Sequence, residues 1–108
     1  MAHCINITIA KQEDLKENVK YVVLPLNYCF IKNTNDVKEG CKCLTVYTDY
    51  FGGLGEQYAE LYINGLMVKE YNTINEGLRE LNVTKGYSDE FDAINLGNYR
   101  SNDDILIE

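Results

Sequence analysis

Apolar and polar residues alternate in the first structured segment of this chain. From His3 to Ala10, isoleucine occupies three alternate positions, with small or polar side chains between them. This period of two predicts a strand with one apolar face. A second segment, Tyr21–Ile31, is rich in β-branched and aromatic residues. Because Pro25 lacks the N–H that a ladder needs, we predict that this segment is an edge strand or is split by a bulge.

The middle of the chain predicts a hairpin. A strand over Cys41–Tyr50 precedes two apolar runs, Glu56–Ile63 and Leu66–Tyr71, which flank Asn64-Gly65. Asn-Gly tolerates the positive φ angles of a type I′ turn. The predicted pairs are Ile63 with Leu66, Leu61 with Val68, Glu60 with Lys69 and Tyr58 with Tyr71. One face would be apolar, and the other would carry tyrosines and an opposite-charge pair.

A helix is predicted after the hairpin, over about residues 73–82. It begins with a capping box, Thr73-Ile74-Asn75-Glu76, and apolar residues then recur at i, i+4 and i+7. Gly77 lies inside this helix and indicates close packing there. A short second helix is predicted over about 88–96, with Ser88 as its N-cap.

The predicted fold class is α+β, in a single domain over residues 1–108. It has a mostly antiparallel sheet of four to five strands, and helix covers one face. The length of 108 residues is an ordinary size for one domain. No apolar run approaches the roughly 18 residues that a membrane span needs, and the first residues do not resemble a signal peptide. We therefore expect a cytoplasmic protein.

The four cysteines, Cys4, Cys29, Cys41 and Cys43, are expected to be free thiols in that compartment. An alternative is a zinc site formed by Cys4, Cys41 and Cys43 with His3. The Cys-x-Cys spacing differs from the pattern typical of structural zinc sites, so buried thiols that act as small hydrophobes are favoured. No metal or cofactor is predicted.

The net charge of −7 is unevenly distributed. Between Gly86 and Glu108 there are six acidic residues and one basic residue, which gives −5 of the −7. Direct binding to nucleic acid or to an anionic membrane would require the opposite sign. The charge favours a basic partner, or serves solubility alone.

The glycine-rich stretch Gly52–Gly55 could suggest a phosphate-binding loop. Such loops lead from a strand into a helix, whereas this one leads into a hairpin strand between Asp49 and Glu56. We therefore predict a strand connection, beside which Tyr50 and Phe51 could form an aromatic contact loop. The alternative function is a small-molecule-binding protein or enzyme that uses Gly52–Gly55 with Asp49 and Glu56.

Residues suited to catalysis are few, and we predict no enzyme activity. The only histidine is His3, near the end of the chain. Acidic pairs such as Asp89/Asp92 and Asp103/Asp104 could act as acid and base or bind a hard cation, but solvated carboxylates are the commoner outcome.

The remaining signal is a surface pattern of aromatic and acidic residues. Nine tyrosines and three phenylalanines are present, and several should be exposed. Tyrosine supplies rigid contact area, and surrounding acids steer basic partners. The candidate partner-binding residues are Tyr50, Phe51, Tyr58, Tyr62, Tyr87, Asp89, Glu90, Asp92, Tyr99, Asp103 and Asp104. An alternative is that Phe91 and Tyr99 pin the C-terminal segment to the core.

These observations favour a non-enzymatic protein-binding module, an inhibitor or regulator that docks on a basic surface of a partner. The nucleic-acid-binding groove of another protein would be such a surface. In small size, acidity and richness in asparagine and tyrosine, the whole chain resembles the small accessory and counter-defence proteins of bacteriophages. A homo-oligomer that buries the tyrosine stripe of the predicted hairpin, formed by Tyr58, Tyr62 and Tyr71, is a further alternative.

Overall fold

A computed structural model describes residues 3–51 and 54–83, together with Ile94 and Ile105. At positions 3, 4, 50, 51, 54 and 55 the description is of the backbone. The predicted second helix over 88–96 lies outside the described residues, although Ile94 itself is buried in the core.

In the part of the chain that the structure describes, six strands form one sheet. They are β1 (His3–Lys11), β2 (Val22–Val23), β3 (Tyr28–Ile31), β4 (Lys42–Phe51), β5 (Leu54–Ile63) and β6 (Leu66–Tyr71). Their order across the sheet is β2-β3-β1-β4-β5-β6, and every neighbouring pair is antiparallel. The prediction of a mostly antiparallel sheet is confirmed, with one strand more than the predicted four to five.

The additional strand results from the interruption at Pro25. A short 3-10 turn, Pro25–Asn27, separates β2 from β3, and β2 is the short edge strand of the sheet. Within that turn Leu26 and Asn27 adopt φ angles of 62° and 66°. The left-handed region is unfavourable for leucine, so the chain accepts local strain in order to turn here.

Helix α1 (Ile74–Glu80) confirms the predicted main helix. The Thr73 hydroxyl accepts a hydrogen bond from the Glu76 N–H at 3.3 Å and so caps the helix. The Ile74 N–H donates to Oε1 of Gln57 at 2.8 Å, which ties the first turn to β5. No helix in the described part of the chain is long and apolar enough to cross a membrane.

The main core lies between α1 and one face of the sheet, which we call the helix face. Its largest fully buried side chains include Ile5, Phe30, Leu44, Ile74 and Leu78. On the opposite face, one end is covered by the loops that carry Leu15 and Val37, and a smaller cluster is buried there. On the rest of that face, the described residues Asp49, Glu56, Tyr58 and Glu70 are exposed.

The predicted hairpin register is correct at the turn and wrong beyond it. Ile63 pairs with Leu66, but an irregularity at Leu61/Tyr62 shifts the register by one residue. The pairs that follow are Leu61 with Lys69, Glu60 with Glu70 and Ala59 with Tyr71.

The shift leaves Val68 as the extra residue of β6 and reverses the faces of the residues after it. Tyr71 is therefore buried on the helix face instead of extending an exposed tyrosine stripe. Leu66 and Val68, predicted to lie on an apolar face, are 70% and 54% exposed.

Candidate protein-binding surface

The open part of the sheet is built from alternate residues of β4, β5 and β6. Side chains two residues apart share a face, and Cys43 lies in the cluster opposite the helix face. Strand alternation and the observed register then place one set of exposed or half-buried residues together, which we call the acidic face. Its members are Tyr47, Asp49, Glu56, Tyr58, Glu60 and Glu70.

Two tyrosines form the centre of the acidic face. Tyr47 and Tyr58 are cross-strand partners, and their rings stack with centroids 4.7 Å apart and an angle of 22° between the ring planes. The Tyr47 hydroxyl donates to Oδ2 of Asp49 at 3.3 Å. Tyr58 is 41% exposed, so a rigid aromatic surface is available to a partner.

Carboxylates face each other on both sides of this tyrosine stack. Asp49 lies directly opposite Glu56, and Glu60 lies directly opposite Glu70. Like charges at directly opposite positions destabilise a sheet. The predicted pairing of Glu60 with Lys69 would have been favourable, but the register shift replaces it with a second repulsive pair.

The basic residues of these three strands belong to the other face. Lys42 pairs with Ile63, and Lys69 pairs with Leu61, whose side chain is buried in the main core. Nζ of Lys69 lies 5.1 Å from the ring centroid of Tyr71. The acidic face therefore receives no lysine or arginine from β4, β5 or β6.

Tyr62 occupies the next position along β5 on the same face. It is half-buried against the smaller cluster. Burial raises the pKa of its hydroxyl, and the Glu60 carboxylate adds to the rise, with a further contribution from Glu70. Both carboxylates thus act electrostatically at this position, which agrees with their placement on one face.

The structure locates only part of the predicted binding set. Tyr58 lies on the acidic face and Tyr62 beside it. Tyr50 and Phe51 lie in β4, but their side chains are outside the described residues. Also outside the described residues are Tyr87, Asp89, Glu90, Asp92, Tyr99, Asp103 and Asp104.

The glycine-rich stretch joins two paired strands. Phe51 pairs with Leu54, so the connection consists of Gly52 and Gly53, which lie outside the described residues. The chain passes from strand to strand, whereas a phosphate-binding loop would be followed by a helix. Asp49 and Glu56 oppose each other on the acidic face.

The described cysteines are free thiols, as expected. Cys29 and Cys43 are fully buried, and burial raises their pKa values to about 11 and about 12. Within the described side chains, no group of three or more His, Cys, Asp or Glu residues could hold a metal ion. The side chains of His3 and Cys4, which the zinc alternative requires, fall outside that description.

The predicted binding set omitted Tyr47, Glu60 and Glu70, and the sequence pattern suggested Asp49 and Glu56 only for the small-molecule alternative. A signal was present for Tyr47 and Glu60, because Tyr47-x-Asp49 and Glu56-x-Tyr58-x-Glu60 repeat with the period of a strand face. Glu70 had no such signal, since its position on this face depends on the register shift.

Comparisons of the chain with protein-family models, with curated proteins and with solved structures found no match.

Proposed function

We propose that this protein is a non-enzymatic protein-binding module that inhibits or regulates a partner by docking on its basic surface. A nucleic-acid-binding groove is the kind of surface that fits. One observation carries the proposal: two repulsive carboxylate pairs, Asp49–Glu56 and Glu60–Glu70, flank the stacked tyrosines Tyr47 and Tyr58.

Repulsion within each carboxylate pair lowers the stability of the free protein, and a bound basic partner would remove that repulsion. Natural proteins tend to keep unfavourable local pairs of this kind at functional sites. Glu56 and Glu60 are four residues apart on β5, which corresponds to about 13 Å along the strand. A lysine or arginine of the partner placed near each pair would convert repulsion into attraction, and the carboxylates would occupy the places of nucleic-acid phosphates.

The tyrosine stack provides contact area between the charged pairs. Tyrosine and arginine are enriched among the residues that dominate binding energy, and a guanidinium group stacks well on an aromatic ring. Because Tyr47 and Tyr58 already hold each other in place, docking would immobilise little additional side-chain freedom.

The acidic C-terminal segment is proposed to attract the basic partner from a distance. Residues 86–108 carry −5 of the net charge, and charges need not touch a partner to steer its approach. Tyr87, Asp89, Glu90, Asp92, Tyr99, Asp103 and Asp104 are therefore retained as proposed partner-binding residues. We place this function in the cytoplasm, where free thiols such as Cys29 and Cys43 persist. The proposed role is the kind that phage counter-defence proteins have.

The test is affinity capture with matched variants. E56Q/E60Q neutralises two carboxylates of the acidic face, and E17Q/E39Q removes the same charge from exposed positions elsewhere. We expect the captured protein to be basic, to be lost with E56Q/E60Q, and to be retained with E17Q/E39Q.

Salt provides the second criterion, because screening weakens contacts between exposed charges. Capture should decline as sodium chloride is raised. Equal capture by both variants, or a complex indifferent to salt, would contradict the proposal. A small ligand that raises the melting temperature only when Asp49 and Glu56 are intact would favour the small-molecule alternative.

A further inference from the structure

Strand β6 forms one edge of the sheet, and most of its side chains are exposed. Among the strands that the structure describes, β6 pairs only with β5 and ends the sheet on that side. Its first five residues are exposed. Three of these are consecutive apolar residues, since Leu66, Met67 and Val68 are 70%, 45% and 54% exposed. Single exposed apolar residues are ordinary, but a contiguous set indicates a contact surface.

The edge of β6 also presents backbone groups. Alternate N–H and C=O groups of an edge strand point away from its neighbour, where they can pair with another strand. The opposite edge of the sheet is formed by β2, which has only two residues. A short edge strand is one device by which proteins prevent such pairing. Strand β6 has six residues and no proline, although the irregularity at Val68 limits how far regular pairing extends.

The charge beside this edge favours a cation on the acidic face. Glu70 lies directly opposite Glu60. A strand added beside β6 would place a residue next to Glu70 at the strand spacing of about 4.8 Å, where lysine or arginine is favourable. Lys69 lies on the helix face, with its Nζ 5.1 Å from the ring centroid of Tyr71, and Arg79 belongs to α1, which packs on that face.

A second copy of this chain fits the edge less well than a basic segment does. Antiparallel edge strands related by a two-fold axis form a continuous sheet with the same faces on the same side. The acidic faces of two copies would then lie next to each other, and each copy has a net charge of −7. Repulsion opposes that pairing, whereas it becomes attraction for a segment of opposite sign.

We propose that an extended segment of the basic partner adds to the sheet as a strand beside β6. Its backbone pairs with the outer edge of β6, and its alternate side chains lie on opposite faces. Lysine or arginine lies on the acidic face near Glu70, and apolar side chains on the helix face pack against Leu66. The identity of the partner rests on the proposed function, but strand addition can be tested without it.

The probe is a capped hexapeptide of alternating arginine and valine, added to the full chain in an NMR titration at low salt. The matched control has glutamate in place of each arginine. We expect the arginine peptide to shift the amide signals of Leu66–Tyr71 and to slow the exchange of the β6 amide protons that point away from β5. The glutamate peptide should do neither.

Backbone methylation of the peptide tests the hydrogen-bonded ladder. The N–H groups of alternate residues in a strand point to opposite edges, so only one alternate set can pair with β6. We compare a peptide methylated on its valine nitrogens with one methylated on its arginine nitrogens. One of the two should bind at least fivefold more weakly than the other, because it loses the ladder hydrogen bonds.

Variants of the protein locate the binding at β6. L66T/V68T removes exposed apolar groups and keeps side chains that suit a strand, so its folding should be little changed. Its affinity for the arginine peptide should fall about threefold to tenfold. V23T is the matched control on the opposite edge, where Val23 is 63% exposed, and should bind normally. E70Q should weaken binding about twofold to fivefold, and E39Q should not.

Equal affinities of the two methylated peptides, or of L66T/V68T and V23T, would overturn the inference. A homodimer in sedimentation that L66T/V68T abolishes would assign this edge to a second copy, and would overturn it too. The capture experiment is separate. Peptide binding at β6 without capture of a basic partner would count against the proposed function alone, and equal capture by the wild type and L66T/V68T would count against strand addition alone.

Discussion

A side chain at position 77 has no room between the helix and the sheet. A Cβ atom built on Gly77 would lie 2.8 Å from Cδ1 of Leu44 and 2.9 Å from Cβ of Ala59. Such distances are well inside ordinary carbon–carbon contact. The glycine therefore sets how closely α1 approaches β4 and β5, although it lowers the intrinsic stability of the helix.

Gly77→Ala tests this balance. Alanine should gain about 1 kcal/mol in helix propensity, but overpacking a well-filled core costs about 1–3 kcal/mol. Since the methyl group of Ala59 is fixed to the backbone of β5, relief by side-chain rotation is limited. We expect urea unfolding to show a net loss of about 1 kcal/mol, the middle of the range of about 0–2 kcal/mol that these two effects leave, while exposed E80A changes stability by less than about 0.5 kcal/mol. A stability equal to the wild type would show that α1 moves outward freely.

The buried thiols predict a loss of stability at alkaline pH. Burial raises the pKa of Cys29 from 9.0 to about 11 and that of Cys43 from 9.0 to about 12. The unfolded state therefore releases these protons first. Stability that is fully present below pH 9 is lost as the pH rises toward 11 and 12, by up to about 1.4 kcal/mol per pH unit for each thiol.

The slope of stability against pH is the measurement. Urea unfolding between pH 8 and pH 11 should give a less steep decline for C43A than for the wild type, whatever its absolute stability. Tyrosines and lysines also titrate in this range, but they are common to both proteins and cancel in the comparison. Identical slopes would mean that the Cys43 thiol ionises equally well in the folded protein.

At the level of elements, local patterns predict most of the fold and only part of the surface. The capping box at Thr73 locates α1, and Asn64-Gly65 locates the β5–β6 turn, because both signals act within a few residues. The smaller cluster depends on Leu15 meeting Val37 across two loops, and no local pattern encodes that contact. The register shift at Val68, which places Tyr71 in the core, likewise has no local signal.

Because the register shift places Glu70 opposite Glu60, the substitution Glu70→Lys tests the arrangement of charges on the acidic face. The substitution replaces the repulsive Glu60–Glu70 pair with an attractive one, so the free energy of unfolding should rise by about 0.2–1 kcal/mol. E39K changes the net charge equally at an exposed loop position and should have a smaller effect. A stability of E70K no greater than that of E39K would mean that Glu60 and Glu70 do not oppose each other.

On the scale of the whole molecule, the two faces of the sheet differ in composition. The helix face buries the main core, and the opposite face carries acids around a tyrosine stack, with no lysine or arginine from β4, β5 or β6. The protein measures 40 × 28 × 26 Å. Since the Debye length is about 30 Å at 0.01 M salt and about 10 Å at 0.1 M, the net charge of −7 acts across the whole protein only at low salt.

Sodium chloride should therefore stabilise this protein in two stages. Between 0.01 M and 0.1 M, screening removes long-range repulsion, and the melting temperature should rise by roughly 4–8 °C for each kcal/mol gained. Between 0.1 M and 1 M the Debye length falls to about 3 Å, so repulsion between directly opposed carboxylates is screened as well. E60Q/E70Q lacks one such pair and should show a smaller second stage, whereas E17Q/E39Q should follow the wild type there. A second stage of equal size in all three proteins would indicate a general salt effect on burial. It would contradict the inference that repulsion between Glu60 and Glu70 destabilises the folded protein.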